Sequence, residues 1–154
     1  MAADALSIAV SAEDPGGADA LALVAELSAA LTAITGAGGQ ASFDVSDVRG
    51  PRACFALALA RALGCGALRP IDADVAEIKR MFARPGTRGV GSAVLRHLEA
   101  EAARWGYAAL RLSTRLANAR AVAFYERHGY RRIPGYGRYA GSDVSVCFEK
   151  ALRA

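Results

Sequence analysis

The stretch AEIKRMFARPGTRGVGSAVL, residues 76–95, decides how this chain folds. Its first half is mostly apolar with charged residues interleaved, the pattern of a strand. Arg84-Pro85-Gly86 breaks that run, and the residues after Gly89 follow an apolar spacing of three and four, which belongs to a helix. A strand over Val75–Ala83 therefore passes through a tight turn into a helix over residues 89–105, with Val90, Val94, Leu98 and Ala102 along one stripe and Leu95 beside it. Gly89 and Gly91 let a ligand approach the backbone closely. The first helical turn there offers unpaired N–H groups and the positive end of a dipole, a setting that suits a phosphate or pyrophosphate. Arg88 adds a cation at the mouth. The spacing fits neither a dinucleotide GxGxxG nor a P-loop with its Lys and Ser/Thr, and glycine before a helix is often only a turn.

Working outward, residues 6–10 read as a short strand and 13–17 as a turn. Residues 20–34 read as an amphipathic helix with Leu21, Val24, Leu27 and Leu31 on one stripe, Asp19 as a candidate cap and Gly36 as its stop. Residues 42–51 are polar and turn-like. Two buried strands follow at 54–60 and 62–68, joined at Arg61 without the Asn, Asp or Gly that tight hairpins favour. Beyond the second helix come a strand at 108–113, a helix at 118–128 with Gly129 as a candidate stop, and strands at 130–133 and 144–148. The order β-α-β-β-β-α-β-α-β-β belongs to an α/β (α+β) domain with a mixed sheet. No repeat or linker divides the chain, so residues 1–154 read as one domain.

Composition sets the bounds. The chain has 154 residues, 53% hydrophobic and 22% charged, which is globular rather than disordered. The apolar run at 53–68 is interrupted by Arg61 and falls short of the roughly 20 residues a membrane span needs. Asp4 and the lack of a basic segment before an apolar one argue against a signal peptide, so a cytoplasmic protein with no membrane partner is the expectation. The formal charge is +4, but the arginines are scattered and form no dense run, which places a few local contacts to a small anion ahead of nucleic-acid binding. Cys54, Cys65 and Cys147 are odd in number and show no CxxC spacing. They read as buried reduced thiols, and with only His97 and His128 beside them no metal site is expected.

A second motif is NARAVAFYERHGY, residues 118–130. Asn118 can cap its helix or contact a ligand, and Tyr125 falls two turns later on the same face. Alone they would be a plain cap and a core aromatic. Together, the glycine turn, the short strand and the Asn…Tyr…Gly-aromatic run resemble the GNAT superfamily of N-acetyltransferases. The ending GYGRYAGSDVSVCFEKAL, residues 135–152, is similar to bacterial members. The resemblance is strong from about residue 75 to 133 and looser over most of the rest.

That resemblance implies a mixed, mostly antiparallel twisted sheet of six to seven strands flanked by helices. Its central strands, Val75–Ala83 and 108–113, would splay around acetyl-CoA, the co-substrate. The backbone of Met81, Phe82 and Ala83 would pair with the pantetheine arm, and Arg88, Gly89, Val90, Gly91 and Ser92 would surround the pyrophosphate. Asn118 would contact the cofactor near the pantetheine, and Tyr125 would protonate the departing thiolate. Glu77 stands where many members place a carboxylate that takes the amine's proton, often through water. Its other reading is an exposed strand residue paired with Lys79 or an arginine. One position departs from the family pattern: the Gln or Arg that opens the turn is Gly86 here, which leaves Arg88, or a tightened loop, to do its work. The implied reaction is direct acetyl transfer to a primary amine in a ternary complex, the alternative being a non-catalytic acyl-CoA binding or sensing module. The acceptor would be a small molecule or a peptide, met by the first helix and its loop, the strand around Glu77, and the loop 134–143 with Tyr136 and Tyr139. A homodimer through the final strands is compatible with the resemblance.

Overall fold

The structure, a computed structural model, describes residues 8–58 and 63–152. The junction at Arg61 lies outside the described residues. The elements in chain order are β1 (Val10–Glu13), α1 (Ala18–Thr35), β2 (Cys54–Ala58), β3 (Gly64–Pro70), β4 (Val75–Ala83), α2 (Val90–Arg104), β5 (Ala109–Arg115), α3 (Ala119–Arg127), β6 (Arg131–Ile133) and β7 (Ser145–Ala151). This is the order the sequence implies. Short 3-10 turns at Gln40–Ser42, Val45–Val48 and Gly137–Tyr139 punctuate the long loops.

The strands form one seven-stranded open sheet in the order β1-β2-β3-β4-β5-β7-β6. Every neighbouring pair is antiparallel except β4 and β5, which run parallel. Alternation along the strands sends side chains to two separate cores. Cys54, Ala56, Leu68, Ala76, Ile78, Leu110 and Leu112 pack beneath α2 and α3 with Val94, Leu95 and Leu98. Phe55, Leu57, Cys65 and Ala67 pack beneath α1 with Ala20 and Leu23. Each fully buried leucine contributes about 1.5–3 kcal/mol of apolar burial.

The stripe on α2 is as expected: Val90, Val94, Leu95, Leu98 and Ala102 are all buried. On α1 it is rotated. Ala20, Leu23, Leu27 and Ser28 face inward, while Leu21 is 54% exposed. Leu27 and Val24 of the expected stripe stay on the inner side, but Ala20 and Leu23 take the place of Leu21. Alanines on every face of the helix leave leucine spacing a weak guide to its rotation. Its N-cap is Gly17, with no side-chain cap, so Asp19 sits in the first turn rather than capping it. By length and composition α1 could cross a membrane, but its Ala20 and Leu23 are buried against the sheet.

Candidate active site

The parallel pair at the centre of the sheet creates the site. Its strands pair only at Val75↔Ala109, Ala76↔Leu110 and Glu77↔Arg111. Beyond that point residues 78–81 of β4 and 112–115 of β5 line opposite walls of a cleft of about 460 Å3. That size suits a small-molecule or cofactor site. Pairing cannot simply resume, because β4 carries a bulge. The register against β3 jumps from Cys65↔Phe82 to Ala67↔Lys79, so Gly66 alone faces both Arg80 and Met81. Arg80 has a φ of +53°, strained for a residue with a Cβ at a cost of order 1–3 kcal/mol.

The bulge redirects Arg80. Regular alternation would send it, like Ala76 and Ile78, into the core under α2. Instead its Nη1 donates to the Gly38 carbonyl at 3.0 Å and its Nη2 to Ser28 Oγ at 2.5 Å, tying β4 to α1 and to the loop after it. Sequence reasoning missed this residue. The available signal was the adjacent pair Lys79-Arg80, which breaks period-two alternation inside a buried strand.

Tyr125 and Asn118 of the second motif both line the cleft, as does Met81. Tyr125 is buried among aromatics, with Phe124 at 5.2 Å and Tyr130 at 5.7 Å between ring centroids. That burial pushes its phenol well above the usual value near 10, so it holds its proton throughout the neutral range. Asn118 is the N-cap of α3, its Oδ1 accepting from the Ala121 N–H at 3.2 Å. Phe82 packs toward the α1 core and Ala83 toward the α2 core.

The glycine turn follows β4 directly. Gly86 and Gly89 have φ values of +84° and +73°, open to glycine at little cost. Gly89 is the N-cap of α2 and supplies no side-chain cap, so no side chain there competes for the helix's first N–H groups. A Cβ at Gly91 would stand 3.4 Å from the Phe124 ring, so α2 starts close against α3. Arg88 is exposed at the turn, while Arg84 forks onto Glu26 of α1 with contacts of 3.1 and 2.6 Å. Ser92 Oγ lies 2.9 Å from His128 Nε2, a contact no sequence spacing announced.

A strand-turn-helix with an uncapped glycine start, opening beside a splayed parallel pair whose cleft Asn118 and Tyr125 line, is the architecture that the resemblance implied. The sequence model of the Acetyltransferase (GNAT) family matches residues 28–130. The chain belongs to the GNAT acetyltransferase family. Among its relatives, an IAA acetyltransferase of Azospirillum brasilense is 36% identical over 94 residues, 58% of this chain and 61% of that protein's length. A structure from Klebsiella pneumoniae subsp. pneumoniae, assigned as an acyl-CoA N-acyltransferase, is 28% identical. It superposes with a TM-score of 0.81 over 95% of this chain and 98% of its own. A GNAT structure from Elizabethkingia anophelis, which holds acetyl-CoA, shares the fold at a TM-score of 0.68 and 15% identity, covering 94% of this chain and 97% of that one.

Glu77 lies apart from the other residues singled out in this GNAT chain. It is only 3% exposed, so it is not the exposed strand residue of its other sequence reading, though the arginine pairing in that reading is present. It lines a second cavity beside the cleft with Arg69, Asp47 and Tyr136, and the two cavities share Lys79 and Tyr139 as a wall. The Tyr136 O–H donates to Glu77 Oε2 at 2.6 Å, and Arg69 Nε is 3.0 Å from Oε1. Burial, with the Glu77 carboxylate next in importance, pushes the Tyr136 phenol far up, so the shared proton stays on the tyrosine.

Proposed function

We propose that this protein is an acetyl-CoA-dependent N-acetyltransferase that moves the acetyl group directly to a primary amine in a ternary complex. The observation that carries the reading is the splayed β4–β5 cleft with Tyr125 in its wall. Membership of the GNAT family and the acetyl-CoA held by the Elizabethkingia relative support the choice of co-substrate. The residues fit that ligand. The Arg88–Ser92 turn offers uncapped helical N–H groups and a cation for two phosphates, and the unpaired edge of β4 at Met81 to Ala83 can bond an extended amide-bearing arm as an added strand would.

Acetyl-CoA supplies an activated thioester when bound. The acceptor nitrogen attacks the carbonyl carbon, a C–N bond forms as the C–S bond breaks, and the Tyr125 O–H donates its proton toward the departing sulfur. A phenol above its usual range is a weak acid, so its part is a hydrogen bond that tightens as charge grows on sulfur. Asn118 sets the start of the helix that carries Tyr125 and presents its remaining amide group to the cleft. Glu77, with both oxygens occupied, receives the amine's proton only by way of the Tyr136 hydroxyl or water.

No covalent enzyme intermediate is invoked. Burial pushes the Cys65 thiol up to about 12 and the Cys54 thiol to about 11, which keeps both protonated and unreactive. The test is incubation with acetyl-CoA and a panel of amines, following free thiol and the mass of the acetylated product. Acetyl-amine should form, and intact-protein mass should show no acetylation with acetyl-CoA alone. Binding of acetyl-CoA without transfer or hydrolysis across the panel would turn the reading into that of a binding module.

A further inference from the structure

The cleft carries more positive charge than the proposed position of the phosphates uses. Lys79 and Arg80 of β4 and Arg115 of β5 all line it, and among the described residues no aspartate or glutamate does. Side-chain alternation assigns these groups to one face. On β5, Leu110 and Leu112 enter the core under α2 and α3. Arg111, Ser113 and Arg115 therefore face the α1 side, where Arg111 meets Glu149 at 2.8 Å. On β4 the bulge leaves both Lys79 and Arg80 on that same side, Lys79 donating to Tyr139 Oη at 3.0 Å and Arg80 reaching α1. The start of α2, where the phosphates are placed above, belongs to the opposite face, with Val90 in the core under α2.

The acids next door, Asp44, Asp47 and Glu77, line the second cavity rather than the cleft, and two of them share Arg69. Asp47 lies 2.8 Å from Arg69, Glu77 is shared between Arg69 and Tyr136, and Asp44 accepts from Ser46 in its own turn. Glu77 is 3.9 Å from Lys79 and offsets that cation in part. Arg115 has no carboxylate partner among the described residues. Arg80 is bonded only to neutral oxygens, and its buried Nε has no partner. A polycationic acceptor would enter against this field, whereas an anionic group would be drawn in, and a guanidinium fork matches a carboxylate.

We infer that the α1-side half of the cleft binds the acceptor, and that the acceptor is an amine that also carries a carboxylate, such as a free amino acid, held by Arg115 with Lys79 on the facing wall. This rests on the acetyl-transfer reading and narrows it. The experiment compares free amino acids with their carboxamides, and with polyamines, as acceptors for the intact protein. Calorimetry with acetyl-CoA runs in parallel. Free acids should exceed their amides in kcat/KM by about tenfold or more, the worth of one charge-assisted contact, and Arg115→Met should collapse that ratio.

Should no amine turn over although acetyl-CoA binds, titration of the CoA-saturated protein with N-acetylated amino acids and their amides decides. The acids should bind at least tenfold more tightly, by the same contact. Parity of acid and amide, preference for a polyamine, or use of an O-phosphorylated amine ahead of every carboxylate would overturn the inference and leave acetyl transfer standing. Lack of acetyl-CoA binding would overturn the transfer reading itself. Lys79→Met, checked for an unchanged melting curve, guards against a folding defect in Arg115→Met; a loss of acid preference in both folded variants supports the inference.

Discussion

Tyr125 combines a wall position in the cleft with burial that keeps its proton in place. Removing only the hydroxyl should therefore separate chemistry from binding. Tyr125→Phe is expected to lower kcat about a hundredfold while acetyl-CoA affinity changes little, read from steady-state rates beside calorimetry. An unchanged kcat would take Tyr125 out of the mechanism. Glu77→Gln keeps an acceptor for Tyr136 but removes the charge that faces Arg69. It should lower kcat about tenfold, read from steady-state rates. An unchanged kcat would make Glu77 only a strut for Arg69 and Tyr136. The tyrosine's place in the cleft wall was legible because Asn118 starts a helix that carries Tyr125 two turns later on the same face. The surroundings of Glu77 were not, because Arg69 and Tyr136 reach it from another strand and from a distant loop.

At the scale of elements, the strand-turn-helix over β4 and α2 was read almost to the residue, since apolar period and glycine punctuation agree there. What periodicity could not show is the bulge at Arg80, which comes from pairing with β3 rather than from local sequence. Nor could it show how close α2 lies to the sheet. A Cβ on Gly64 would stand 2.6 Å from the Phe82 carbonyl oxygen and 2.6 Å from Val90 Cγ1. A backbone oxygen cannot swing aside, so β3 needs glycine where α2 begins. Gly64→Ala should cost about 1–3 kcal/mol in a urea melt and shift the start of α2, weakening acetyl-CoA binding as well. Wild-type stability in that variant would mean that the helix is not seated as described. The rotated face of α1 has the same origin as the missed bulge: burial of Ala20 and Leu23 is decided by what lies across from them.

Across the whole molecule, two cores on either face of one sheet bury several weak acids. Cys54 is held up to about 11 and Cys65 to about 12 by burial, and Tyr125 and Tyr130 are raised too, chiefly for the same reason. Raised folded-state values mean that the native protein keeps protons that the unfolded chain gives up. Their stabilisation is complete below about pH 9 and is lost as pH rises toward the folded values. Urea midpoints should accordingly fall between about pH 9 and 10.5, and Cys65→Ala should make that fall shallower; parallel slopes would contradict the burial of this thiol. The open cleft between β4 and β5 interrupts this packed sheet, and the proposed activity depends on what fills it. Calorimetric titration of the intact protein with acetyl-CoA tests that most directly. One molecule per chain should bind with a roughly micromolar to submillimolar constant, more tightly than acetyl-pantetheine, which lacks the pyrophosphate. No heat of binding up to millimolar acetyl-CoA, or equal affinity for acetyl-pantetheine, would contradict the assignment of the cleft and of the glycine turn that opens α2.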